Sequence, residues 1–254
     1  MPFLPDTVSA LAAGVLVAIA FGSAALTAAF GLGGGLVLLA AMGALLPPAA
    51  VIPVHGVAQF GANASRFALI GRHAAPTILV PFLVGSAVGV ALGARVAIAL
   101  PPGLVRAGVG LFILASIWLP RPAAFAPGRA TYAVGGAATS FLTMFFGATG
   151  PFVAALIAAA GLGRLAQSAT HAAAMVAQHG LKTAAFALSG VAYGPWLGLI
   201  ALILTAGFAG SWAGARLLKG MGEPTFQRAF KLLLSAVAAF LAVAGVLEAA
   251  SAPA

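Results

Sequence analysis

The sequence predicts an all-α integral membrane protein. It reads as a polytopic helical bundle of two homologous halves, with about eight full spans plus two short glycine-broken helices, arranged as an inverted repeat. Three observations predict this. The 254 residues are 63% hydrophobic and only 6% charged; soluble domains carry about 25% charged residues, so no polar surface can be assembled. Apolar runs recur at 7–29, 76–94, 103–119, 130–147, 193–213 and 232–247, close to the roughly 20 residues that cross a hydrocarbon core. The chain also repeats itself: "FGLGGGLVLLAAMG" from Phe30 slides onto "FGATGPFVAALIAA" from Phe146.

That register runs without a gap from Phe30 over Phe146 to Gly71 over Ala187. Beyond the alanines it matches Phe30 with Phe146, Gly31 with Gly147, Gly34 with Gly150, Val37 with Val153, Leu46 with Leu162 and His55 with His171. It also superposes Asn63 on His179 and Arg66 on Lys182. A shifted register then pairs "GAR" at 93–95 with "GAR" at 214–216. The first repeat is expected over 1–119 and the second over 129–254, with the proline-rich 120–128 as linker.

Each half therefore contains five apolar elements. They fall at about 7–30, 33–46, 51–70, 76–98 and 103–119, then at 130–147, 149–162, 165–188, 193–217 and 225–248. Runs of this length without alternating polarity exclude a β-barrel. The first run follows "MPFLPD", which lacks a basic flank, so a span is expected there and not a leader. The second element of each half is short, and whether it crosses decides the symmetry. With ten crossings, Arg66, Arg72, Arg121, Arg129, Arg164, Arg216, Lys219, Arg228 and Lys231 share one side, against Arg95, Arg106 and Lys182. With eight crossings the basic residues divide almost evenly. The positive-inside rule therefore favours ten crossings, inverted halves and both termini outside.

The formal charge of +9 is scattered between apolar runs, which fits anchoring at a lipid bilayer and not nucleic-acid binding. Cysteine is absent, excluding thiolate chemistry. The three carboxylates, Asp6, Glu223 and Glu248, lie away from the middle of any run. Paired acids, a Ser-His-Asp set and a carboxylate-bearing metal site are thereby excluded, so neither an enzyme nor a cofactor or metal is expected. "GLGGG" lacks the following Gly-Lys-Ser/Thr of a phosphate loop.

Polar residues inside apolar helices are expensive and mark functional sites. His55, Gln59, Asn63 and Arg66 form one helical stripe, and Gln167, His171, Met175, Gln178 and Lys182 form another, with His179 beside it. Two such stripes in register across a repeat outweigh either alone. Taken singly, Gln59, Asn63, Gln178 and His179 are better explained as helix–helix hydrogen-bond glue, which is also the alternative for His55 and His171; snorkelling to the headgroups is the alternative for Arg66 and Lys182. Donors without acids suit an anion. Helices broken at Gly33, Gly34 and Gly35 and at Thr149 and Gly150 would add free N–H groups and the positive end of a helix dipole. The expected substrate-binding set is Gly33, Gly34, Gly35, His55, Gln59, Asn63, Thr149, Gly150, His171, Gln178 and His179, with Arg66 and Lys182 attracting the anion.

At these residues the chain resembles the TauE/SafE family of sulfite-exporter-like membrane permeases. The resemblance rests on the duplication, on "FGLGGG" and on the polar helix "HGVAQFGANASRF". It implies a multi-pass permease of the cytoplasmic membrane that carries sulfite, a sulfonate or a related organosulfur anion. "FGATGP" in the second half departs from the glycine run. A membrane scaffold or assembly factor is the competing expectation; it explains the small-residue helix faces but not the matched stripes. A cation channel fits less well without an acidic ring, and a homo-oligomer is compatible with each reading.

Overall fold

The computed structural model describes residues 4–30, 33–97, 101–118, 128–217 and 223–251. Among them the chain is helical, in ten segments: α1 (Ala10–Phe30), α2 (Gly34–Leu45), α3 (Pro48–Ile70), α4 (Pro76–Ala97), α5 (Pro102–Trp118), α6 (Arg129–Phe146), α7 (Gly150–Ala158), α8 (Arg164–Leu188), α9 (Leu197–Leu217) and α10 (Glu223–Ser251). Short 3-10 turns at Gly71–His73 and Gly194–Trp196 precede α4 and α9. Proline opens α3, α4 and α5, where its missing N–H belongs to a donor that has no intrahelical partner. Most expected elements fall within a few residues of these bounds. The exception is the seventh, expected to reach 162, which stops at Ala158 before a turn through Gly161. Residues 120–127 of the expected linker lie outside the described residues.

Three helical stretches, Ala10–Ala28, Pro76–Val96 and Gly194–Gly214, are long and apolar enough to cross a membrane. Gly34–Leu45, Gly103–Ala115 and Ala238–Ser251 are shorter apolar helices. Large side chains such as Val80, Val84, Val88 and Leu92 on α4, and Phe240, Val243 and Leu247 on α10, point outward. Outward apolar side chains of this kind suit helices set in lipid.

The helices form two compact units, and each unit draws on both sequence halves. The first comprises 1–55, 100–119 and 193–254. Here α1 packs on α9, with Gly210 against Phe21 O and Gly214 against Ala25 O. Likewise α5 packs on α10, with Gly110 against Ala238 O and Gly245 against the Ala107 backbone. Glycine at four-residue spacing lets backbones touch, which raises van der Waals contact where lipid supplies no hydrophobic drive. Near the end of the α5/α10 pair, Arg106 Nη1 donates to Glu248 Oε2 at 3.0 Å. The short α2 packs against α1 and α10, burying Leu36, Leu38, Leu39 and Met42. Twelve residues rise ~18 Å, and most of α2 is buried within this unit.

The second unit comprises 56–99 and 120–192. Its main pair is α4 with α6: Gly85 meets Ala133 O, Gly89 meets Ala137 O and Gly136 meets Phe82 O. Against this pair α7 and α8 build an apolar cluster of Ile78, Phe82, Tyr132, Val153, Ile157, Ala174 and Met175. At one end of that cluster Ala75 N–H donates to Thr170 Oγ1 at 2.9 Å, tying the start of α4 to α8.

Candidate functional site

The polar chemistry of the second unit gathers where α6 gives way to α7. Gly147 ends α6 with φ 82° and ψ −42°, a region closed to most side chains. Two residues later Thr149 occupies the N-cap position of α7, yet its side chain does not cap the helix. Its hydroxyl donates instead to Gln178 Oε1 on α8 at 2.8 Å. Gln178 Nε2 donates in turn to Thr139 Oγ1 at 3.1 Å and Ser140 Oγ at 2.9 Å, both on α6. Both amide hydrogens are thus used within the protein, and Gln178 ties the start of α7 to α6. Gln178 and Thr149 are thereby partnered within the protein, as burial in a low dielectric favours.

One turn along α8, Lys182 is fully buried, and its Nζ donates to Gly147 O at 3.0 Å. The same carbonyl accepts the Thr143 hydroxyl at 2.9 Å. Snorkelling is therefore corrected for this residue: α8 continues to Leu188, and Nζ is held inside the unit. Gly56 makes the room. An ideal Cβ there would lie 2.8 Å from Lys182 Cε and 3.2 Å from Thr183 Oγ1. At the other end of the stripe, His171 Nε2 donates to Gly150 O at 3.2 Å. A carbonyl can only accept, so this bond places a proton on Nε2.

The first unit carries a related arrangement. Gly33, with φ 105°, precedes α2. Gly34 N–H donates to Thr27 Oγ1 at 3.1 Å, and Thr27 donates to Ser23 O at 3.0 Å. Alanine cannot replace Gly34 without meeting Ser23 O and Thr27 Oγ1. His55 is fully buried and its Nε2 donates to Gly35 O at 3.0 Å. Each unit therefore has a histidine from the helix after the break pinned to a carbonyl in the first turn of the short helix.

The remaining expected residues spread along α3 and α8. Asn63 is buried, but its Nδ2 turns back to Gln59 O at 2.8 Å; Gln59 and Arg66 are half-buried, as are Gly33 and Gly35. His179 is buried beside Gln178 on α8. The helix N-termini offer fewer free donors than expected. Gly34 N–H is bonded to Thr27, Pro151 has none, and the N–H groups of Phe152 and Val153 turn to Thr149 O at 3.0 and 3.2 Å. Among the described residues no group of three or more His, Cys, Asp or Glu is placed to hold a metal.

Sequence reasoning missed the hydroxyls of Ser23, Thr27, Thr139, Ser140 and Thr143. A signal for four of them was present. Extending the repeat register backward from Phe30 over Phe146 places Ser23 on Thr139 and Thr27 on Thr143, one and two turns before each break. What carboxylates the chain has are all outside this cluster: 56–99 and 120–192 contain no Asp or Glu.

Searches of curated proteins and of solved structures returned no match. The profile of the family described as "Sulfite exporter TauE/SafE" matches residues 16–241, nearly the whole chain. Its span takes in α2 and α7 with both glycine breaks and both polar stripes. The chain belongs to the sulfite exporter TauE/SafE family.

Proposed function

We propose that this protein is a permease of the cytoplasmic membrane for a small anion, with sulfite, a sulfonate or a related organosulfur anion as substrate. Membership of a transporter family and the long apolar helices already make it a multi-pass membrane protein. The finer reading is ten crossings in two inverted halves, with an anion held by the donors around each break. One observation carries it: Lys182 is fully buried in a unit that contains no side-chain carboxylate.

A buried ammonium without a countercharge is destabilising by several kcal/mol. A monoanion ~4 Å from Nζ supplies about 4 kcal/mol at an effective dielectric of 20. One of the three Nζ donors is used on Gly147 O, which leaves two for oxygens of a ligand. Thr149 and Gly150 lie at the same break, and His171 holds the Gly150 carbonyl. His55, Gly33, Gly34 and Gly35 are the corresponding set of the first half, while Gln59, Asn63, His179 and Arg66 line α3 and α8. Outward movement needs no coupling ion, since an inside-negative potential expels a monoanion with ~2.3 kcal/mol per 100 mV.

The test is uptake of radiolabelled sulfite and of a small sulfonate into proteoliposomes under an imposed potential. Lys182→Met is expected to keep the fold, because an apolar residue of similar length removes the buried charge, and to reduce uptake to the level of empty vesicles. Uptake by the wild type no faster than in empty vesicles overturns the reading for those substrates. Uptake unaffected in Lys182→Met overturns the assigned role of the lysine.

A further inference from the structure

We infer that Ser86 on α4 is a substrate-binding residue of the second unit, donating its hydroxyl to an oxygen of the anion that Lys182 attracts. This rests on the proposed transport of an oxyanion and adds a ligand on a further helix, α4.

The hydroxyl of Ser86 is fully buried and has no hydrogen-bond partner. That is unusual within this molecule. Hydroxyls inside apolar helices ordinarily turn back to the carbonyl four residues earlier. Thr27 does so to Ser23 O, Ser65 to Gly61 O, Thr139 to Gly135 O, Thr170 to Ala166 O and Thr205 to Ala201 O. The corresponding carbonyl for Ser86, that of Phe82, faces Gly136 on α6. A buried polar group left without a partner is destabilising unless a ligand or ordered water completes it.

The register of α4 against α8 places Ser86 at the polar stripe. The start of α4 is bonded to Thr170, and Ile78 and Phe82 farther along α4 share an apolar cluster with Ala174 and Met175 farther along α8. The two helices therefore run in the same direction. Ser86 follows Phe82 by one turn on the buried stripe of Ile78, Phe82 and Val90, about 6 Å along the axis. Over the same interval α8 passes Gln178 and approaches Lys182. Gln178 has spent its amide hydrogens on Thr139 and Ser140. Ser86 thus presents a buried hydroxyl with no partner toward the polar stripe, where Lys182 Nζ uses one donor on Gly147 O and keeps others for a ligand. A small oxyanion presents several acceptors and can meet a serine and an ammonium at once.

The experiment measures uptake kinetics and thermal unfolding of Ser86→Ala and Ser86→Thr in parallel with the wild type. Ser86→Ala is expected to raise KM for sulfite or the transported sulfonate about tenfold, with Vmax little changed. Its unfolding temperature is expected to equal or exceed that of the wild type, because the hydroxyl has no protein partner to lose. Ser86→Thr keeps a hydroxyl and is expected to restore part of the affinity. Transport by Ser86→Ala with an unchanged KM overturns the inference and assigns the hydroxyl to water. Lower stability or failure of Ser86→Ala to accumulate also overturns it, since the hydroxyl would then have a structural partner. A wild type that transports neither anion overturns the transport reading itself, and this inference with it.

Discussion

Lys182 and Gly56 illustrate how a single residue acquires meaning from its neighbours. Lysine in an apolar helix is tolerated near the membrane surface because its long stem reaches water. Here the stem instead crosses the space left by Gly56, and the ammonium meets a backbone carbonyl. Gly56→Ala is expected to displace Lys182 by a few tenths of an ångström or more and to lower transport about tenfold. Unfolding should change little, because the displaced atoms are the far end of a flexible side chain. Repeating Gly56→Ala in a Lys182→Met background separates the two effects. If the glycine acts through the lysine, the second substitution adds almost nothing; comparable uptake losses in both backgrounds would show that it acts otherwise.

Residue spacing made the histidine stripes legible, since a period of 3.6 is local. The saturation of Gln178 was not legible, because Thr139 and Ser140 reach it only through the packing of α6 on α8. A side chain's place in a list of polar residues does not say whether its hydrogen bonds are still free.

Among the elements, α2 is tightly constrained. Its first turn lies so close to α1 that a Cβ on Gly34 would meet Ser23 O and Thr27 Oγ1. Backbone cannot step aside as a side-chain tip does. Gly34→Ala should therefore destabilise by about 2–3 kcal/mol, read as a lower unfolding temperature in detergent. Gly14 on α1 is a suitable control: nothing lies within 4 Å of its Cβ position. Gly14→Ala should be neutral or stabilising by up to about 1 kcal/mol. Equal effects at the two positions would refute the close packing of α2 on α1. Element boundaries followed from proline, glycine and run length. The early end of α7 did not, because the residues to 162 remain apolar and only the backbone turn at Gly161 stops the helix.

For the whole molecule, the compact units and the sequence halves cut the chain differently. Within one unit α4 of the first half packs on α6 of the second; within the other, α1 packs on α9. Residues 1–119 or 129–254 expressed alone would leave glycine-lined faces unpartnered. Each fragment alone is expected to be degraded, and the two expressed together to assemble and transport. A single fragment that accumulates as a stable folded protein would contradict this. Topology has its own test, made simple by the absence of cysteine. Ser9 and Gly128 are exposed and flank the first half. Ten crossings place Ser9→Cys and Gly128→Cys on opposite sides, so an impermeant maleimide labels only the former in intact cells. Labelling of both, or of neither, would support eight crossings.

Composition and run length by themselves determined a helical membrane protein, and the duplicated glycine and histidine positions pointed to a repeat with a polar stripe after each break. These properties are local or periodic, so they survive without coordinates. Tertiary structure alone decided which helices pair, that Lys182 is enclosed and not snorkelling, and that the amide of Gln178 is spent while the hydroxyl of Ser86 is not. The physical reason is that glycine faces set how closely particular backbones approach. Only that approach determines which buried donors find an acceptor within the protein and which do not.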